Sequence, residues 1–316
     1  ALTDENVLYG AVEFYNAARQ AGIKPLLGFQ LVVQLADPAS TQLRVTLLAK
    51  NQQGYQNLMD LSTLHQTTSR DQLPLAFTAV AKRLANLVMV VPAQVNLLSL
   101  LRQGNDWLAP LQGAVDTGSL YLGVNLELDA VERPSLQQFA QDNDVPVVAT
   151  TPVNYLNPTD LFATKTLQAI GQGAQLGDLA AQSQVAGTNY LPDHQQVIAD
   201  YQRAGLTAAV AATATIAQQC NVELEFKDPV LPHFVTPKGI SAADYLRQLC
   251  LAGLAKRPLA PGISAADYRQ RLDHELTIIH EMGFDDYFLI GWDVMNFAHQ
   301  NKITTDPGRG SAAGSL

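Results

Sequence analysis

Through residue 228 the chain alternates two hydrophobic patterns: short apolar runs rich in β-branched residues, and longer stretches whose apolar positions recur every three or four residues. The first pattern predicts strands at Pro25 to Leu35, Leu43 to Ala49, Leu87 to Val91, Tyr121 to Leu128 and Pro146 to Thr150. The second predicts helices at Gly10 to Ala21, Tyr55 to His65, Ser135 to Asn143 and Pro158 to Ile170. Strand and helix in turn are the signature of parallel sheets with helical crossovers. The runs Asn86-Leu-Val-Met-Val-Val-Pro92 and Val145-Pro-Val-Val-Ala149 satisfy the continuous apolar pattern of strands buried on both faces. An α/β barrel and an open α/β sheet both fit this reading.

The prolines of Phe226-Lys-Asp-Pro-Val-Leu-Pro232 break the alternation and predict a boundary between residues 1–228 and a mostly helical region, 229–316. Gly239-Ile-Ser-Ala-Ala-Asp-Tyr245 recurs as Gly262-Ile-Ser-Ala-Ala-Asp-Tyr268, and the likeness ends soon after. Each copy therefore reads as a helix start rather than half of a duplication: Ser as N-cap, Asp three residues on, and an Ile/Tyr pair at the spacing of a hydrophobic staple. The second helix carries Leu272, Leu276 and Ile279 on one face and should stop at Gly283. A further helix, Tyr287 to Ala298, leads through Ile303 to a glycine-rich stretch.

The length of 316 residues predicts two domains. The net charge of −9 argues against a chain that wraps nucleic acid by itself. The charge is uneven: from Pro229 onward eight Lys or Arg stand against nine Asp or Glu, a net of −1, which leaves −8 for residues 1–228. Contact with nucleotide or DNA is thus more plausible in the second region. Two cysteines, Cys220 and Cys250, are too few for a disulfide framework and lack metal-ligand spacing, which points to a reducing cytoplasm. No apolar run approaches the roughly 20 residues that span a bilayer, and no leader pattern opens the chain; no membrane association is expected.

The stretch Pro307-Gly-Arg-Gly-Ser-Ala-Ala-Gly-Ser-Leu316 has the chemistry of a phosphate cradle. Glycines let backbone amides turn toward an oxyanion, Ser311 and Ser315 add hydroxyl donors, and Arg309 offers a bidentate fork. It lacks the Lys-Ser/Thr pair of a P-loop and the spacing of a dinucleotide-binding turn. On composition alone, a flexible tail is the commoner reading of such a stretch.

Met282-Gly-Phe-Asp-Asp-Tyr-Phe-Leu-Ile290, Trp292-Asp293 and the glycine-rich stretch resemble the start of the palm in bacterial C-family replicative polymerases. Earlier, Ala1-Leu-Thr-Asp4, Gly10-Ala-Val-Glu-Phe-Tyr15, Ala21-Gly-Ile-Lys-Pro25, Leu48-Ala-Lys-Asn51, Gly54-Tyr-Gln-Asn-Leu58 and Val145-Pro-Val-Val-Ala-Thr150 resemble the PHP (polymerase and histidinol phosphatase) domain of DNA polymerase III alpha subunits. The resemblance implies a PHP-type distorted α/β barrel whose opening strand would precede Ala1, then a mostly helical segment entering a polymerase-beta-like palm. It implies that Gly310 and Ser311 contact the incoming nucleotide's triphosphate with Arg309 as electrostatic helper. It also implies that the paired metal-binding aspartates lie beyond Leu316, so that the chain alone should not polymerise and contains no polymerase catalytic residue. Mg2+, DNA, dNTPs, a sliding clamp and a proofreading exonuclease are the implied cofactor and partners of the full-length enzyme, with no metal bound to this chain. Asp306 departs from the family pattern, which has Gly there.

The PHP metal positions depart further. Glu5 replaces a His, Gln30 in Gly28-Phe29-Gln30 replaces a Glu, Arg44 replaces a His, Ala93 replaces a Cys, and Thr151-Pro152-Val153-Asn154 loses an Asp at Pro152 and a His at Asn154. A cation such as Arg44 repels metal and satisfies carboxylates instead. The expectation is a degenerate, metal-free PHP domain; an active PHP phosphoesterase or 3′-5′ exonuclease, and a non-catalytic docking module for a proofreading exonuclease, are the alternatives. His65, His194, His233, His274, His280 and His299 are scattered, and Asp285-Asp286 is expected to be a solvated helix start.

Overall fold

The computed structural model describes the chain except residues 36–40, 94–96, 98, 102–106, 129–131, 176–188, 227–229, 238 and 306–314. The chain divides into two compact units, Ala1–Glu225 and Phe226–Leu316; the boundary expected after residue 228 falls among residues outside the described set.

The first unit is built on a mixed seven-stranded sheet. Its strands are β1 (Leu2–Glu5), β2 (Leu27–Gln34), β3 (Gln42–Ala49), β4 (Leu75–Ala76), β5 (Leu87–Val91), β6 (Leu120–Val124) and β7 (Val147–Ala149). The order is β1-β2-β3-β5-β6-β7, with β4 paired to β2. Among the described residues no pairing joins β7 back to β1. The β2–β3 and β3–β5 pairs are antiparallel, the others parallel. Five strands match the expected runs; β1 and β4 are additions. With four and two residues, they are too short to display a strand period.

Helices α1 (Ala11–Gln20), α2 (Gln52–Thr67), α3 (Phe77–Val80), α4 (Leu108–Ala114), α5 (Glu132–Asp142), α6 (Leu161–Gln172), α7 (His194–Arg203) and α8 (Thr207–Gln219) complete this unit. In β2 and β3 alternate residues are buried: Phe29, Leu31, Val33, Leu43, Val45 and Leu47 join the main core, while Gln30, Val32, Arg44 and Thr46 are half-buried on the other face. β5 is buried at every position, as its apolar run requires, and so is β6; in β7, whose run carried the same expectation, only Val148 is buried while Val147 and Ala149 are half-buried. The odd residues of β5, Leu87, Met89 and Val91, enter the main core, and Val88, Val90 and Tyr121 pack with Ile216 of α8 and Cys220 just past it in a second cluster. Each fully buried Leu or Val contributes about 1.5–3 kcal/mol. Two glycines permit backbone contacts that a side chain would block: a Cβ on Gly28 would meet Leu47 O at 2.2 Å, and one on Gly54 would meet Asn86 O at 2.2 Å.

The second unit is helical, with α9 (Ala242–Leu254), α10 (Ala265–Glu281) and α11 (Asp285–Gln300). Both repeated heptapeptides are helix starts. Ser241 Oγ accepts from Asp244 N at 3.1 Å, and Ser264 forms a full capping box with Asp267. Leu272 and Leu276 are buried with Leu246 and Leu289, and Ile279 packs against them, which is the face the spacing predicted. Phe234, Tyr245 and Trp292 add an aromatic cluster with ring centroids 6.1–6.5 Å apart. α10 ends as expected at Gly283, whose φ of +70° suits a residue without Cβ.

Candidate functional site

Strand register assembles half of the positions inferred from sequence. Glu5, the last residue of β1, is the direct partner of Gln30 on β2. Arg44 on β3 lies opposite Val32, which places it diagonally from Gln30 on the same face. Arg44 Nη1 donates to Gln30 Oε1 at 3.3 Å and stands 3.3 Å from Glu5 Oε1. A cation thus occupies the space between the one anionic and the one amide oxygen of the set. These residues do not fit a metal cluster: Glu5 is the single charged donor and it is already neutralised.

The other three positions lie elsewhere. Ala93, past the end of β5, packs against the main core. Pro152 and Asn154 are exposed in the segment after β7, where the Asn154 amide donates to Asn189 O at 2.8 Å. Among the described residues, no three His, Cys, Asp or Glu side chains converge in a way that could hold a metal ion.

Around this sheet are polar networks that sequence reasoning missed. Lys50, just past β3, donates to Asp116 Oδ2 at 2.9 Å and to the buried Ser119 Oγ at 3.1 Å. Asp116 Oδ2 also accepts from the Asn86 amide at 3.0 Å. The Lys50 hydrogen bond, opposed by burial and aided by the Asn86 amide, holds the Asp116 carboxyl below its ordinary range. Tyr201 of α7, 1% exposed, donates its hydroxyl to Thr150 O at 2.8 Å and reaches Val124 O at 3.3 Å, tying α7 to the ends of β6 and β7. No local signal marks Asp116 or Tyr201, because their partners are 66 and 51 residues away.

In the helical unit, Asp306, Arg309, Gly310 and Ser311 lie outside the described residues. Their flanks are described. His299 Nε2 lies 3.2 Å from Thr305 Oγ1. On the other side Ser315 Oγ donates to Glu275 Oε2, and the Leu316 amide donates to the same oxygen at 3.1 Å. Arg271 Nε donates to Glu275 Oε1 at 2.7 Å. Burial pulls the Glu275 carboxyl upward, but these donors outweigh it and hold it below its usual value. A groove of about 810 Å3 runs beside α9 and α11 and is lined by Leu246, Cys250, Trp292, Ser315 and Leu316 among others.

Asp285 and Asp286 prove to be engaged rather than solvated. Asp285 Oδ2 pairs with His280 Nδ1 at 2.8 Å; Asp286 takes the Phe234 amide at 2.8 Å and faces His233 Nδ1 at 3.2 Å. Adjacent carboxylates at a helix start diverge, and each has found a partner from the chain that folds back beside it.

Comparison with known families finds that residues 1–125 match the PHP domain and residues 244–316 match the bacterial DNA polymerase III alpha NTPase domain. Along its whole length the chain is similar to the DNA polymerase III subunit alpha of Bacillus subtilis (strain 168), 33% identical over 324 residues that cover 100% of this chain and 28% of that protein. It is equally similar to the DNA polymerase III subunit alpha of Halalkalibacterium halodurans, 33% identical over 326 residues with 100% and 28% covered. The Xylella fastidiosa (strain 9a5c) subunit is 32% identical over 330 residues, 100% of this chain and 27% of its own. The resemblance expected from sequence motifs is thus shown, and the chain spans 28% of the length of the first two relatives. Among the described residues no helix is long and apolar enough to cross a membrane.

Proposed function

We propose that the chain is part of a DNA-directed DNA polymerase of the DNA polymerase III alpha type, in which its PHP domain serves as a metal-free scaffold. Similarity over the whole chain to subunits of that name supports the setting. The observation that carries the scaffold role is the Arg44 guanidinium 3.3 Å from Glu5, a cation among positions that a metal site would fill with anionic or neutral donors.

In this reading Gly310 and Ser311 hold the triphosphate of the incoming dNTP, with Arg309 adding charge. Residues beyond Leu316 supply the carboxylates for Mg2+ and nucleotidyl transfer during DNA replication. DNA and dNTPs are the substrates. A sliding clamp and a separate proofreading exonuclease are the partners, and the cytoplasm is the setting.

The test is metal content by mass spectrometry on protein purified without chelator, together with an exonuclease assay in added manganese and zinc. Less than about a tenth of an equivalent of metal and no cleavage is the expected result. Two or three bound metals with nuclease activity would replace the scaffold by a PHP phosphoesterase. Nucleotide binding is tested separately in the full-length polymerase, where Ser311→Ala should raise the nucleotide KM.

A further inference from the structure

We infer that the groove beside α9 and α11 is a helix-packing site left open in this chain, and that its occupant is the segment of the longer polypeptide that follows Leu316. The inference rests on the reading of the chain as part of a DNA polymerase III alpha subunit and adds an intramolecular contact to it.

The second unit has a small core. Among its described residues Leu246, Leu272, Leu276, Leu289 and Ala298 are the buried apolar side chains, few for a unit that runs from Phe226 to Leu316. Leu246 and Leu272 also line the groove, so the groove opens directly onto that core. Its α11 side presents Tyr287, 62% exposed, with Phe288 and Met295, which are exposed as well. Arg257 is the one charged residue among the described lining residues. Such a surface suits an apolar neighbour that is always present, since obligate interfaces resemble a core cut in half. It does not suit a nucleic-acid backbone, which requires clustered cations.

The placement of glycine points the same way. Gly291 sits in the middle of α11 and Gly253 near the end of α9, although glycine is a poor helix former. Neither has a positive φ, and a Cβ built on either meets nothing within 4 Å. No described residue therefore requires these glycines, yet both line the groove. A segment laid across them gains the close backbone approach that the missing Cβ permits.

The identity of the occupant follows from Leu316. This residue lines the groove, and its amide donates to Glu275 Oε2 at 3.1 Å. In a longer polypeptide the next Cα lies about 3.8 Å from that of Leu316, and so starts at the groove wall. The chain spans 28% of the length of the Bacillus subtilis and Halalkalibacterium halodurans subunits, which leaves ample polypeptide to fill the groove. A segment tethered at the wall is at high effective concentration, an advantage that neither a second copy nor a separate protein has.

The test is photocrosslinking in the full-length polymerase carrying Tyr287→p-benzoylphenylalanine, which keeps an aromatic ring at an exposed position, with the cross-linked peptides mapped by mass spectrometry. Intrachain cross-links to peptides beyond residue 316 are the expected result. Cross-links to a second copy, to residues 1–225 or to another protein, or no cross-link at all, overturn the proposal. Primer extension by the same protein is measured alongside: activity without the expected cross-links spares the polymerase reading, and the expected cross-links without activity in the parent spare the packing. Gly291→Leu gives a second readout. In an open groove leucine improves the helix, and Tm stays level or rises. Against a packed segment the added side chain overfills the contact and should lower the Tm of the full-length protein by about 2 °C or more. A level or raised Tm overturns the proposal as well.

Discussion

Arg44 bridges Glu5 and Gln30, with its Nη1 3.3 Å from an oxygen of each. One guanidinium thereby links the β1–β2–β3 edge of the sheet on the face opposite the main core. Its strength is limited by water, since the side chains of Arg44 and Glu5 are 37% and 54% exposed. Exposed pairs of this kind contribute about 0–1 kcal/mol. A double-mutant cycle with Glu5→Gln and Arg44→Met should return a coupling energy below about 1 kcal/mol in urea denaturation. Chelator should leave Tm unchanged in the parent and in both variants; a chelator-dependent Tm in the parent would show that metal is linked to folding.

Tyr201 is the more costly polar contact. Its hydroxyl is buried, and Tyr201→Phe removes the donor to Thr150 O while leaving that carbonyl in place. The expected loss is about 1–3 kcal/mol, read as a lower urea midpoint for the first unit with little change in slope. A midpoint equal to that of the parent would mean that water replaces the hydroxyl.

Asp116 makes stability depend on acid. Hydrogen bonding to Lys50 depresses its folded-state pKa, so the contribution is complete above the unfolded carboxylate value, near pH 4, and is lost as pH falls through the folded value. Asp116→Asn should cost about 1 kcal/mol or less at pH 7, because the side chain is 39% exposed. It should also flatten the decline in stability below about pH 4. Urea denaturation across pH 3 to 7 is the measurement, and parallel curves for parent and variant would dismiss the role of this pair.

His280 works in the opposite sense. Hydrogen bonding and attraction to Asp285 raise its pKa. The contact is therefore fully favourable below the unfolded imidazole value of about 6.5, and it is lost as pH rises through the folded value. An NMR titration should place the His280 midpoint above about 6.5, and Asp285→Asn should return it toward that figure. A midpoint insensitive to Asp285→Asn would remove the pairing as the cause.

Gly28 is a steric demand rather than a polar one. A Cβ there would sit 2.2 Å from Leu47 O, which the antiparallel β2–β3 ladder does not allow to retreat. Gly28→Ala should destabilise the first unit by about 1–3 kcal/mol or more, seen as a lower Tm. Gly113→Ala, where nothing lies within 4 Å of the added Cβ, is the control and should leave Tm close to that of the parent.

Local rules written into the sequence determined most of the elements. The apolar run at Leu87–Val91, the caps at Ser241 and Ser264, and the stop at Gly283 depend on neighbours within a turn or a strand and were legible in order along the chain, whereas the strand expected over Tyr121 to Leu128 ends at Val124. The motifs likewise carried the similarity to DNA polymerase III alpha subunits, because motif order survives without coordinates. Tertiary structure alone decided which polar groups meet. The pairing of Asp286 with Phe234, 52 residues away, depends on how the chain before α9 returns to that helix start. The contact between Arg44 and Glu5 depends on the register of three strands, in which a slip of one residue would turn Arg44 to the opposite face. Ser315 and Glu275 meet although 40 residues separate them, and no periodicity reaches that far.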